Sequence, residues 1–457
     1  MQLFNTLGKQ KQEFVPIRKD EVRMYSCGPT VYNYLHIGNL RAYVFADLVK
    51  RALIYNGFHV KHVMNVTDVG HLTSDADEGD DKMVSALKRE GKAMTIKAMR
   101  EIADTYFAKA QEDMAKLGIL PADRYPFATD HIKEDVSMIE TLLEKGAAYK
   151  TPDTIYFDTK SIPDYGILGG GSANDEHSRI GVNSEKKNSE DFALWKFSDE
   201  SGIGFDASFG KGFPGWHIEC SAMSEKYLGV PFDIHTGGID HIPVHHNNEI
   251  AQTKAARGVL LANYWLHNEH LTIGEEKMAK SGGNFLTLGV LEKEGISPLA
   301  YRYWLLTSRY STRMDFSIEA IKAAQTAFEK LKSFISKIDT AGEVNDGYKE
   351  KFLLAVNDDL DTPKALALVW ELVKDTEISD ADKKATLYDF DRVLGLNLKK
   401  AVKTELVIPA DVSELLKQRE EARSAKNWSK SDEIRDEIRS KGFEVKDTDL
   451  GQELKQI

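Results

Sequence analysis

Val22-Arg23-Met24-Tyr25-Ser26-Cys27, closed by Gly28-Pro29, is the stretch on which the fold turns. Its alternation is that of a β-strand, and the Gly-Pro pair breaks it. Downstream, Val44, Leu48, Ala52 and Tyr55 recur at helical spacing between about Leu40 and Tyr55; Gly57 ends the run, and His59 to Asn65 reads as a second strand. Strand, helix and strand in quick succession make a βαβ unit. Such a unit predicts an α/β fold with a parallel sheet, whose ligands are bound by loops at the carboxyl ends of the strands, here residues 27–39.

Outward from this unit, residues 95–150 read as helical. Residues 151–212 carry short strand signals around Thr154 to Phe157, and the loop Gly169-Gly170-Gly171-Ser172 and the charged run Glu185 to Asp191 mark an insertion. Strand signals and Gly-rich turns return over 213–275, so the first domain is expected to be discontinuous. Helical periodicity dominates from about Pro298, with interruptions at Gly342 to Gly347 and Gly395 to Leu398. One amphipathic helix is expected over Val412 to Ser440, ended by Lys441-Gly442.

A chain of 457 residues accommodates two to four domains, and 42% hydrophobic with 29% charged residues excludes global disorder and fibrous repeats. No run approaches the ~18 apolar residues of a membrane span. Met1 to Lys11 lacks the apolar core of a secretory signal, so the expectation is a cytoplasmic protein with no membrane partner. Two cysteines exclude a disulfide framework and leave a long-range bridge, core thiols or metal ligands. The net charge of -12 argues against a uniformly basic binding surface but leaves room for local basic patches.

Three features carry chemistry. His36-Ile37-Gly38-Asn39 stands between the first strand and its helix, where the residues serve either as local caps or as part of an anion site favoured by the helix N-terminus. Lys277-Met278-Ala279-Lys280-Ser281, followed by Gly282-Gly283, sets two ammonium groups three residues apart in a glycine-flanked loop, able to neutralise a departing pyrophosphate. Seven of thirteen histidines fall between His217 and His270. There His245 and Glu249 lie one helical turn apart and, with Cys27 and Cys220, make a donor set suited to tetrahedral zinc; His246 with Glu249 is the rival pair.

In this order the first two motifs resemble the signatures of class I aminoacyl-tRNA synthetases. The neighbourhoods Cys27-Gly28-Pro29-Thr30-Val31-Tyr32, Gly215-Trp216-His217-Ile218-Glu219-Cys220 and His235-Thr236-Gly237-Gly238-Ile239-Asp240 resemble cysteinyl-tRNA synthetases, over essentially the whole chain. The resemblance implies a Rossmann-like catalytic domain in two halves, 1–120 and 206–262, around a connective insertion, 121–205. A linker domain with the lysine loop (263–318), a helical bundle (319–400) and a small anticodon-binding domain (408–457) would follow. It implies one zinc held by Cys27, Cys220, His245 and Glu249. Gly238 and Asp240 would hold the adenosine, with Gly38, Met278 and Lys280 also on the nucleotide, and Thr67 and Trp216 would line the amino-acid pocket beside Cys27. His36 and Asn39 would steady the phosphates and Lys277 and Lys280 the leaving pyrophosphate, with Mg²⁺ on ATP.

Two positions depart from the family pattern: Asn39 stands where the first signature ends in His, and Ala279 where the second has Ser. Asn39 keeps a hydrogen-bond donor, and Ala279 removes only a hydroxyl. Arg423, Trp428, Asp432 and Arg435 resemble the anticodon-binding end, where an aromatic face stacks an unpaired base. Asn357 to Pro363 resembles a helical-bundle signature with a structural role. The expected activity is ATP-dependent activation of L-cysteine and its transfer to tRNA(Cys), by a monomer. Shape alone discriminates cysteine from serine weakly, whereas zinc bonds a thiolate well and a hydroxyl poorly. A ligase joining cysteine to a small amine, as in the mycothiol pathway, would share the site but not require residues 411–457.

Overall fold

The βαβ unit forms as β1 (Glu21–Ser26), α1 (Ile37–Tyr55) and β2 (His59–Met64). His36 caps α1: its Nδ1 accepts the Asn39 N–H at 3.2 Å, and Asn39 Oδ1 accepts the His36 N–H at 3.4 Å. In the computed structural model, residues 1–70, 82–169, 185–198, 203–273, 276–277, 286–400, 409–448 and 451–456 are described. They belong to two compact units, residues 1–400 and 401–457.

Helices α2 (Lys82–Glu90), α3 (Ile96–Lys116) and α4 (Ile132–Glu144) follow. An antiparallel sheet then pairs strands Ala148–Lys150, Thr154–Phe157, Phe192–Phe197 and Gly212–Pro214 in that order. The chain returns through α5 (Trp216–Leu228), β3 (Phe232–Gly238), α6 (Asn247–Arg257) and β4 (Ala262–Asn268). The main sheet is parallel, in the order β4-β3-β1-β2. Because β1 leads outward to β2 on one side while β3 leads to β4 on the other, the strand order reverses between β1 and β3, where ligands of such sheets bind.

The alternation read into β1 is not one of burial: every residue from Val22 to Ser26 is buried. A central parallel strand is covered on both faces, and its polar side chains are paired instead of solvated. Arg23 donates to the carbonyls of Leu228 and Pro231, and Ser26 Oγ lies 2.9 Å from His62 Nε2 and 2.7 Å from Thr236 Oγ1.

Beyond β4, strand Leu271–Ile273 pairs with both Glu276–Lys277 and Met314–Asp315. Helices α7 (Leu288–Lys293), α8 (Pro298–Leu306), α9 (Ile318–Ser336), α10 (Asp346–Asn357), α11 (Thr362–Lys374) and α12 (Asp380–Leu394) complete the first unit. Asp47 of α1, 1% exposed, ties this region together. Its carboxylate accepts from Arg51 Nε at 2.7 Å, from Arg302 Nη2 of α8 at 2.6 Å and from the Leu120 N–H at 2.8 Å. Arg302 also donates to the Leu394 and Leu117 carbonyls, and Arg51 to those of Arg392 and Gly118. The acidic stretch after α10 is structural too: Asp359 Oδ1 accepts from the Phe4 N–H at 2.8 Å and from the Tyr310 hydroxyl at 2.6 Å.

In the second unit the single long helix expected over Val412 to Ser440 is two, α13 (Ala410–Ser424) and α14 (Trp428–Ser440). Lys426 takes a left-handed φ of 58°, and the Asn427 side chain accepts the Lys430 N–H at 3.2 Å. Asn427 is thus an N-cap that starts a new helix. The chain then forms a hairpin of Phe443–Thr448 with Gly451–Gln456, whose Phe443 and Val445 join Val412, Leu415, Ile434 and Ile438 in a small core. No helix of the described residues is long and apolar enough to cross a membrane.

Candidate active site and metal centre

The carboxyl ends of β1 and β3 border a cleft of about 660 Å³. Cys27 directly follows β1. A Cβ on Gly28 would come within 1.7 Å of the Asn65 carbonyl oxygen, so only glycine lets the turn lie against the end of β2, where its N–H donates to Asn65 Oδ1 at 2.8 Å. Cys220 sits in α5, His245 on a π-helical turn over Ile242–His246, and Glu249 in α6. Such wide turns recur at functional sites.

The donor atoms of Cys27, Cys220, His245 and Glu249 all lie within 4.8 Å of one another, and so do those of Cys27, His235, His246 and Glu249. The hydrogen bonding of the two sets differs. In the first, His245 Nε2 is 3.0 Å from Glu249 Oε1, yet the contact lacks hydrogen-bond geometry and neither buried atom has a hydrogen-bond partner. Their other polar atoms are engaged: His245 Nδ1 meets His217 Nδ1 at 2.8 Å, and Glu249 Oε2 meets His235 Nε2 at 2.9 Å. In the second set both nitrogens of His246 are occupied, Nδ1 with His267 Nε2 at 2.7 Å and Nε2 with Cys27 Sγ at 3.3 Å. Cys27, Cys220 and His245 line the cleft; His235 and His246 do not.

Charge is concentrated here. A hydrogen bond from Cys27 outweighs burial and brings Cys220 down to about 6, while burial and Cys220 push the Cys27 thiol up. Burial alone would lower His245, but the Glu249 carboxylate and Cys220 reverse this and hold it at about 10. Burial raises Glu249, and His235 and His245 overcome it to leave the carboxyl at about 2. The two cysteine sulfurs, His245 Nε2 and Glu249 Oε1, the last two without a hydrogen-bond partner, make a donor set of two sulfurs, one nitrogen and one oxygen that fits a dication, which His245 would bind as the neutral imidazole.

The same cleft is lined by His36, Gly38 and Asn39 from the start of α1, and by Thr67 and Trp216. The Thr67 N–H donates to the Pro29 carbonyl at 3.0 Å, and its hydroxyl accepts from Asn65 Nδ2 at 2.9 Å. Trp216 stacks on His245 with ring centroids 4.2 Å apart. Gly238 and Asp240, after β3, line it too. His36 and Asn39 are therefore caps and cleft residues at once. The main chain of Lys277 pairs with Thr272; its side chain, and Met278, Ala279 and Lys280, lie outside the described residues. Trp428, in the second unit, is 57% exposed, with the Arg423 guanidinium 5.7 Å from its ring centroid. The packing role usual for a lone Trp on a helix does not hold here. Arg423 is paired with Asp447 and Arg435 with Asp432. Sequence reasoning gave no role to His217, His235, His267 and Asn65: the first two stood only inside the quoted neighbourhoods, His267 only in the dense run of histidines, and Asn65 only at the end of the second strand.

Residues 13–326 match the model of the class I (C) tRNA synthetase catalytic domain, and residues 407–454 that of the cysteinyl-tRNA ligase anticodon binding domain. The chain is 45% identical over 463 residues to cysteine–tRNA ligase 1 of Burkholderia lata, covering 99% of this chain and 96% of the relative. It is 39% identical to the cysteine–tRNA ligase of Treponema denticola, covering 98% of both. In fold it is similar to Mycobacterium tuberculosis methionyl-tRNA synthetase in complex with methionyl-adenylate, with a TM-score of 0.56 and 17% identity over 84% of this chain and 92% of that one. Full-length likeness, two matching domains and a cleft at the strand reversal agree: the chain belongs to the cysteine–tRNA ligases, within the class I aminoacyl-tRNA synthetases.

Proposed function

We propose that this ligase selects cysteine through a zinc ion held by Cys27, Cys220, His245 and Glu249. The observation that carries this reading is the pair of buried, hydrogen-bond-free atoms His245 Nε2 and Glu249 Oε1 beside two cysteine sulfurs at the cleft wall. The rival set through His246 is disfavoured because both of that ring's nitrogens are engaged. Bound there, zinc supplies a position that takes a thiolate sulfur and leaves a serine hydroxyl poorly bound. His217 and His235 orient the two ligands they touch, as hydrogen-bonded partners of metal ligands do. Thr67 and Trp216 shape the amino-acid pocket, and Gly238 and Asp240 receive the adenosine.

No side chain need act as a nucleophile, because the cysteine carboxylate attacks the α-phosphate of ATP. The protein's part is positioning and charge stabilisation. His36 and Asn39 steady the phosphates, and Lys277 and Lys280 meet the pyrophosphate with Mg²⁺. The reading keeps 1–120 and 206–262 as the catalytic halves around an insertion at 121–205, with 408–457 as the tRNA(Cys)-reading module. Cysteine-dependent exchange of pyrophosphate into ATP tests the whole: it is expected to need zinc, and serine is expected to replace cysteine very poorly. Exchange that persists unchanged in zinc-free enzyme would overturn the metal's role.

Lys280→Ala is expected to lower kcat of this exchange with little change in the cysteine KM, since its ammonium meets charge that develops in the transition state. A rise in the cysteine KM alone would remove that role. Truncation near Pro409 is expected to spare exchange and to abolish most transfer to tRNA. Trp428→Ala alone is expected to weaken tRNA use by about 1–3 kcal/mol if a base stacks on the exposed indole. Equal loss of exchange and transfer on truncation would mean the segment only stabilises the enzyme, and unimpaired transfer would count against anticodon reading.

A further inference from the structure

Arg41 lies one turn into α1 beyond His36 and Asn39 and is only 4% exposed. Among the described residues it makes no ion pair. Its guanidinium instead donates to three main-chain carbonyls: His270 at 2.5 Å, Thr312 at 2.5 Å and Tyr310 at 3.2 Å. Burying a cation on carbonyls alone is costly, and reaching two segments from one side chain needs the planar fork of arginine. His270 immediately precedes the strand Leu271–Ile273, and Tyr310 and Thr312 precede its partner Met314–Asp315. Thr272 of that strand pairs with Lys277. Arg41 therefore grips the root of the small sheet that carries Lys277.

The far side of the same segment is held as well. The Ile37 N–H donates to the Leu286 carbonyl at 2.8 Å, and the Tyr301 hydroxyl, fully buried, donates to the Ile37 carbonyl at 2.7 Å. Phe45, one further turn along α1, stacks on Tyr310 at 4.5 Å. One helix thus presents His36 and Asn39 to the cleft and fixes both flanks of residues 271–286.

We propose that Arg41 is a positioning residue for adenylate formation: it sets where the Lys277-bearing sheet stands relative to the first turn of α1. The proposal rests on the reading that His36, Asn39, Lys277 and Lys280 act together on the triphosphate. Misplacement of reacting groups by about 1 Å costs on the order of 100-fold in rate. Arg41 touches no substrate and acts only through the carbonyls it holds.

The test is cysteine-dependent pyrophosphate exchange by the full chain carrying Arg41→Lys, Tyr301→Phe, Lys280→Ala, and each of the first two combined with Lys280→Ala. Arg41→Lys is expected to lower kcat by ~10- to 100-fold while the cysteine KM and zinc content stay within about twofold of the parent. Tyr301→Phe, which keeps the buried ring and removes one hydrogen bond, is expected to give a smaller loss of the same kind and serves if Arg41→Lys folds poorly. In the Lys280→Ala background, where Lys277 alone is left to be misplaced, both substitutions are expected to cost less than in the parent, because residues that act as a unit are not additive. Losses that multiply in full, an unchanged kcat, or a loss confined to the cysteine KM would each overturn the proposal. If Lys280→Ala alone left kcat intact, the phosphate reading would fail first and take this one with it, an outcome told apart by that single variant.

Discussion

Cys220→Ser is expected to leave the purified enzyme largely without zinc and to cut cysteine-dependent pyrophosphate exchange by about a thousandfold. The affinity loss should exceed the roughly 10- to 100-fold seen when only a hydrogen-bonded partner of a metal ligand is changed. Serine keeps the size of the side chain but offers a hydroxyl that zinc binds poorly, and the substitution leaves His245 Nε2 and Glu249 Oε1 with no hydrogen-bond partner in a buried pocket. The residues proposed to contact ATP lie on other elements, α1 and the segment after β3, so ATP binding should survive. Metal analysis and nucleotide titration of the same preparation check both halves. Full zinc content with an unchanged cysteine KM would contradict the assigned ligands.

Asp47→Ala is expected to lower unfolding stability by about 3–5 kcal/mol, the usual cost of removing one partner from a buried ion pair. Two guanidinium groups converge on this carboxylate, and Arg302 is wholly buried. Without Asp47 that cation keeps only carbonyl acceptors at Leu394 and Leu117. Escape is blocked on one side, because the backbone of Gly395 lies so close that a Cβ there would stand 2.4 Å from Arg302 Nη2. Urea unfolding of the full chain measures the loss; a change below about 1 kcal/mol would show that the cluster relaxes or rehydrates at little cost.

The legible parts of this chain are those that short-range rules govern. The run from Val22 to Asn65 announced its βαβ unit because apolar residues at helical spacing lie between two glycine-bounded strands, and the one-turn spacing of His245, His246 and Glu249 marked the cluster without deciding which imidazole would take a metal. The break at Lys426-Asn427 was missed because the apolar pattern of Val412, Leu415, Ile434 and Ile438 bridges it, and only the capping chemistry of Asn427 separates the helices. Burial of both faces of β1 was hidden by Arg23 and Ser26, polar residues whose partners come from residues 36 to 210 positions away. The roles of His217, His235 and His267 belong to the same class. A histidine reads alike whether it is a ligand, a ligand's support or a packing ring, until the partner of each nitrogen is known.

The strand order also governs how the protein can be made. β1 pairs with β2 almost at once, but its other edge waits for β3, whose Thr236 meets Ser26 across 210 residues of chain. During synthesis an apolar strand edge is therefore left open until more than half the polypeptide has emerged, and such edges invite pairing with other chains. The thiol of Cys27 waits just as long for Cys220. A nascent chain offers a metal one thiol rather than a site, so capture of the proposed zinc would follow closure of the sheet and would add its binding energy only to chains whose edge has been correctly filled.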